Sequence, residues 1–103
     1  MNDLEKLAEN AEKACNLLKS MSNRDRLMIL CMLIDTELSV SDLNKTIPLS
    51  QSALSQHLAI LRNNQLVSTR RKSQTIYYRV AGEAPIRVIG LLKELFCNEK
   101  EGE

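Results

Sequence analysis

Gln51, Ser52, Ser55 and Gln56 lie within six consecutive positions, and all four carry short side chains that both donate and accept hydrogen bonds. Base edges in the major groove of DNA are read by that chemistry: Gln pairs with adenine through two hydrogen bonds, and Ser serves several bases. Ser50 stands just ahead, where a hydroxyl can cap a helix, and the backbone amides of Gln51 and Ser52 would then be free to meet a phosphate. A second group, Arg70, Arg71 and Lys72, is consecutive and followed by Gln74, with Arg62 between the two groups. Cations there suit phosphate or minor-groove contact. A solvated polar helix face and aggregation-blocking strand cations are the plainer readings of each group taken singly.

Charge resolved along the chain favours the nucleic-acid reading. The net charge is +1, but residues 1–38 carry −2, residues 39–80 carry +5 and residues 81–103 carry −2. One or two edge cations do not account for a regional +5, whereas a nucleic-acid reader with flanks used for self-association does.

The remaining reactive side chains are few. Cys15, Cys31 and Cys97 are odd in number and widely spaced, which argues against a disulfide framework and leaves thiols. Small buried core residues are the common role of such cysteines. His57 is the only histidine, so a catalytic Cys–His pair has little support. With no Gly-rich phosphate loop or paired-carboxylate motif either, the chain is not read as an enzyme, and no cofactor or metal is expected.

Helical periodicity positions these groups. Leu4, Leu7, Ala8, Ala11, Ala14, Cys15, Leu18 and Met21 recur at spacings of three and four, which predicts an amphipathic helix over residues 3–21. Ser22 or Asn23 then caps a second helix reaching about Asp35. Its uninterrupted apolar run Leu27–Ile34 predicts burial nearly all round, with Cys31 inside. Ser39 or Ser41 caps a short third helix that stops before Pro48. From Gln51 to Asn63, Ala53, Leu54, His57, Leu58 and Leu61 share one side and the polar residues the other. His57 therefore stands between two roles, inward hydrogen-bonded residue and DNA contact.

After Asn63-Asn64, the runs Leu66–Arg71 and Thr75–Val80 predict a hairpin with a basic tip around Lys72-Ser73-Gln74. Alternation sends Arg70 and Lys72 to the face opposite Arg71. Pro85 opens a last helix to about Asn98, with Ile86, Ile89, Leu92 and Phe96 on one stripe and Val88, Leu91 and Leu95 on another, one for the core and one for a partner subunit. The tail 99–103 is charged and expected to fray.

The whole is therefore expected to be mainly α with a small β-hairpin: four helices, two strands and a final helix, a winged helix-turn-helix arrangement in a single domain over residues 1–103 with an ordered core about 3–98. The longest apolar run, eight residues, is far short of the roughly 20 needed to span a bilayer, and the acidic N-terminus has no secretory pattern. A cytoplasmic location with no membrane partner is the expectation.

The stretches SNRDRLMILCML, ELSVSDL, LSQSALSQHLAILRNNQLV and TRRKSQTIYYRV, in this order, resemble the ArsR family of bacterial winged-helix regulators over roughly residues 10–98. That resemblance implies a homodimer joined through the first and last helices and bound to a double-stranded DNA operator. It places Gln51, Ser52, Ser55, Gln56 and His57 in the recognition helix and Arg70, Arg71, Lys72 and Gln74 in the wing. Where many family members carry metal-binding cysteines, this chain has Ser39 and Ser41, whose neutral hydroxyls do not replace thiolates for a soft metal. ILCML and LFCNE instead resemble the persulfide- and redox-sensing branch of the family, which implies that Cys31 and Cys97 react with sulfane sulfur or oxidants and bridge within one subunit. Cys15 has no counterpart in that pattern. Direct repression and competition with another DNA-bound silencing protein both remain open.

Overall fold

The computed structural model describes residues 2–97. Eight elements follow in order: α1 (Asp3–Met21), α2 (Arg24–Leu33), β1 (Leu38–Ser39), α3 (Val40–Asn44), α4 (Gln51–Asn63), β2 (Val67–Lys72), β3 (Thr75–Val80) and α5 (Glu83–Phe96). The expected end of the last helix at Asn98 and the fraying of residues 99–103 lie outside the described residues.

Local capping sets the helix starts. Asn23, not Ser22, caps α2, its Oδ1 accepting from the amides of Asp25 and Arg26. Ser39, not Ser41, caps α3 through a reciprocal box: its hydroxyl accepts from the Asp42 amide at 3.1 Å while the Asp42 carboxylate accepts from the Ser39 amide at 3.0 Å. Hydrogen bonding to the carboxylate from the Ser39 backbone amide, and next from the Ser39 side chain, holds the Asp42 carboxyl below its ordinary value. α2 ends two residues early, at Leu33, where Ile34 takes extended backbone at ψ 126° and Asp35 then turns into the left-handed region at φ 63°.

The core gathers Ile29, Leu30 and Leu33 of α2, Leu43 and Ile47, Leu54, Leu58 and Leu61 of α4, Leu66 and Val67, and Ile89 of α5. Three antiparallel strands in the order β1-β3-β2 close one side, with Leu38 opposite Tyr78 and Val67 opposite Val80. The two-residue β1 was not legible as a strand. It forms because the segment leading to the Ser39 cap must run extended beside β3.

Two expectations about burial are corrected. α2 is not buried all round: Cys31 is exposed, and Leu27, Met28, Met32 and Ile34 are half-buried. The stripes of α5 regroup, with Pro85, Val88, Ile89 and Leu92 turned inward on a row spaced 3, 4 and 7 apart and Ile86, Leu91, Leu95 and Phe96 outward, and the helix starts two residues before Pro85. α1 leaves still more apolar surface open. Leu4 is 74% exposed and Leu7 65%, and Leu17, Ser20 and Met21, near its end, are the α1 residues that are not exposed. The radius of gyration, 15.7 Å, accordingly exceeds the ~13 Å of a closed domain of this length. Among the described residues, no helix is long and apolar enough to cross a membrane.

Leu58 is fully enclosed, so Leu58→Ala is expected to lower unfolding free energy by about 2–5 kcal/mol in urea titrations monitored by circular dichroism.

Candidate nucleic-acid interface

α4 is presented by its burial pattern. Leu54, Leu58 and Leu61 are inside, Ala53 and His57 are half-buried beside them, and Gln51, Ser52, Ser55, Gln56 and Arg62 are exposed on the other side. Ser50 caps the helix, its Oγ accepting from the Ala53 amide at 3.0 Å, which leaves the first amides of the helix pointing outward. The turn before it is fastened by Asn44 of α3, whose Nδ2 donates to the carbonyls of Ile47 and Leu49 at 3.2 and 2.7 Å. With Leu43 and Ile47 both in the core, this clamp sets the angle between α3 and α4. Nothing in the sequence pattern singled out Asn44.

His57 departs from the outward-facing residues of its helix. Its Nδ1 lies 3.4 Å from the Arg26 guanidinium and its Nε2 3.9 Å from the Asp25 carboxylate, both at the start of α2. Its ring is half-buried and turned toward the start of α2.

Beside α4 lies the hairpin. Arg70 faces Tyr77, Arg71 faces Ile76 and Lys72 faces Thr75 across the strands, so Arg70 and Lys72 share the face away from the core and Arg71 points to the other. Ser73 takes φ 57° at the tip, followed by exposed Gln74. The tip and α4 are joined by the start of α3: Ser41 lines one open cleft with Gln51 and Lys45 and a second with Gln74 and Thr75. A continuous polar strip therefore runs from Gln51 through Ser41 to Gln74, with Lys45 exposed on it. Ser41 and Lys45 were missed as site residues because their segment reads simply as a short helix.

Arg70 is exposed and also paired within the chain. Its Nε and Nη2 grip the Glu37 carboxylate at 3.1 and 2.7 Å, and its guanidinium carbon sits 5.6 Å from the Tyr77 ring centre. The pair is bidentate, spans 33 positions in sequence and ties the wing to the loop before β1. Hydrogen bonding from Arg70 holds the Glu37 carboxyl below its ordinary value and raises the guanidinium in turn. Cys31 and Cys97 are both exposed, on α2 and at the C-cap of α5, two helices that pack against each other; Cys15 is exposed on α1.

A capped polar helix set beside an antiparallel hairpin, with a clamped turn before it, defines the chain as a winged helix-turn-helix DNA-binding domain. Residues 23–69 match the family described as "Bacterial regulatory protein, arsR family". The transcriptional activator HlyU of Vibrio cholerae is 48% identical over 99 residues, 96% of this chain and 92% of that protein. The structure of reduced HlyU from Vibrio cholerae N16961 superposes with a TM-score of 0.87 at 49% identity, covering 91% of this chain and 99% of that one. The transcriptional repressor BigR from Xylella fastidiosa gives 0.83 at 36% identity, covering 94% and 98%. A homodimeric winged helix-turn-helix DNA-binding domain from Mycobacterium bovis gives 0.80 at 26% identity, covering 100% and 94%. This chain belongs to the ArsR family and is a DNA-binding transcription regulator, not an enzyme.

Because the folded pKa of Glu37 is lowered, the ion pair stabilises the wing above the ordinary carboxylate range and is lost as pH falls through that lowered value. Carboxyl-carbon NMR titration should give a Glu37 midpoint below that of an ordinary Glu, and Arg70→Ala should return it to the ordinary range.

Proposed function

We propose that the regulator binds its operator as a homodimer, reading bases with Gln51, Ser52, Ser55 and Gln56 and gripping phosphates with the amides after Ser50, Arg62, Arg71, Lys72, Gln74 and Lys45. The observation that carries this reading is the continuous polar strip from α4 to the hairpin tip, built from residues that the core leaves outward. Arg70 serves it indirectly, by anchoring the wing to Glu37, and His57 by bracing α4 from inside.

The dimer is supported by apolar surface that a single chain leaves bare. Leu4, Leu7 and Leu18 of α1 and Leu91, Leu95 and Phe96 of α5 are all exposed, and an isolated helix with such a stripe has little reason to persist in water. A two-fold assembly through α1 and α5 covers both and delivers two reading heads to half-sites about 34–36 Å apart. Occupancy of that groove also serves competition with another DNA-bound silencing protein, since two proteins cannot fill one stretch of groove.

The same reading assigns Cys31 and Cys97 to a thiol switch. Support comes from their exposure, from the packing of α2 on α5, and from a relative whose structure is described as its reduced form. Each bridge removes two thiol hydrogens with two electrons, accepted by a peroxide or by a sulfane sulfur atom that leaves as sulfide. Tying α2, which supports α4, to α5, which supports the dimer, alters the spacing of the two heads.

Gln51→Ala and Gln56→Ala are each expected to cost about 1–3 kcal/mol on a duplex selected by the wild-type protein and little on random duplex. Arg71→Ala with Lys72→Ala should weaken both and flatten the salt dependence by about two units, in fluorescence anisotropy titrations. For the switch, a Cys15→Ser protein treated with polysulfide should show a Cys31–Cys97 bridge by mass spectrometry and roughly 5–150-fold weaker binding. Unchanged affinity with the bridge confirmed sinks the switch.

A further inference from the structure

The end of α1 and the inner side of α4 are joined by one side chain. Arg26 has its backbone fixed by the Asn23 cap. Its Nε donates to the Ser20 carbonyl at 2.7 Å and its Nη2 to the Lys19 carbonyl at 3.3 Å, two carbonyls in the last turn of α1, the second of which also accepts from the Ser22 cap amide. Its Nη1 reaches the Nδ1 of His57 at 3.4 Å. A guanidinium has no acceptor, so Nδ1 is the atom that can accept in this contact, and Nε2 faces the Asp25 carboxylate 3.9 Å away. Ser20 is itself buried, with its hydroxyl donating to the Asn16 carbonyl at 2.8 Å, so the acceptor end of the link is rigid.

We propose that Arg26 is a positioning residue for DNA recognition: its guanidinium locks α4 to the end of α1 through His57, so that the seating of α1 sets the rotation of the reading face. This rests on α4 being the reading helix.

The geometry demands such a tie. Leu54, Leu58 and Leu61 pin α4 to the core along one line, and a helix held along one line can still roll about it. His57 is displaced to the side of that line and follows Gln56 directly, about 100° further around the helix. Holding His57 therefore holds Gln56, Ser52 and Ser55 at a set angle. Three nitrogens of Arg26 are each engaged, on two helices besides its own. Only a planar fork spans these acceptors together; a lysine ammonium satisfies one or two. Because α1 also carries the uncovered apolar stripe, whatever seats that stripe acts through Arg26 on the base-reading residues.

The test compares Arg26→Gln, Arg26→Lys, His57→Gln and the Arg26→Gln/His57→Gln double variant on a duplex selected by the wild-type protein from a random-sequence library and on a random duplex of equal length. Each single variant is expected to lose about tenfold on the selected duplex, with random-duplex affinity and salt slope unchanged. The double variant should lose no more than either single one, since both break the same link. Equal losses on both duplexes, a salt slope flatter by about one, or additive losses overturn the proposal in favour of a phosphate contact or two independent effects. Amide hydrogen exchange without DNA supplies the independent arm. Arg26→Gln should speed exchange in α4 and the last turn of α1 while α5 is unchanged; uniform acceleration throughout reduces Arg26 to a general stabiliser and overturns the proposal. If the wild-type protein selects no duplex, the DNA reading of α4 fails, while the exchange data still decide whether the link exists.

Discussion

The row Leu54, Leu58 and Leu61, packed against Ile29, Leu30 and Leu33, is the contact on which the rest of the structure depends. Burying one side of α4 in an otherwise small core leaves its amides and hydroxyls no place but solvent, and the proposed reading surface rests on their outward aim. Each fully buried leucine contributes roughly 1.5–3 kcal/mol, more than any capping or surface ionic contact nearby. The polar contacts therefore serve orientation more than cohesion. Asn44 sets the approach angle of α4 and Ser50 its starting point, while His57 holds its side.

Electrostatics divides the basic middle of the chain into two parts with different tasks. Arg70 is committed to Glu37 and stacked near Tyr77, so it stiffens the hairpin base. Arg71, Lys72 and Lys45 are exposed and carry the positive field outward. A regional charge count does not separate the two tasks, because the partner of Arg70 lies outside the basic segment, 33 residues upstream. The field of the interface is thus smaller than the +5 of residues 39–80 implies, and better fixed in direction.

Elements with strong local periodicity were legible. α1 and α4 begin and end where spacing and caps placed them, and the hairpin arrives in the expected order. Strand alternation correctly separated Arg71 from its two basic neighbours. What failed was anything requiring knowledge of a neighbour. The continuous apolar run Leu27–Ile34 reads as burial on every side, yet Cys31 is open, since α4, α5 and β3 pack on α2 without covering that side. β1 is two residues long and exists only through its pairing with β3. The stripes of α5 were grouped by spacing alone, and which row turns inward depends on where α2 packs against it. Contacts across tens of residues, such as Arg70 with Glu37 and Arg26 with His57, leave no periodic trace at all.

The bare leucines of α1 have a cellular corollary. If their cover is supplied by a second copy, folded content follows mass action, and the midpoint of unfolding moves with protein concentration. A regulator built this way meters its own abundance: a cell holding few copies contains mostly unassembled chains with slack first helices, prone to proteolysis, and operator occupancy then climbs more steeply than in proportion to synthesis.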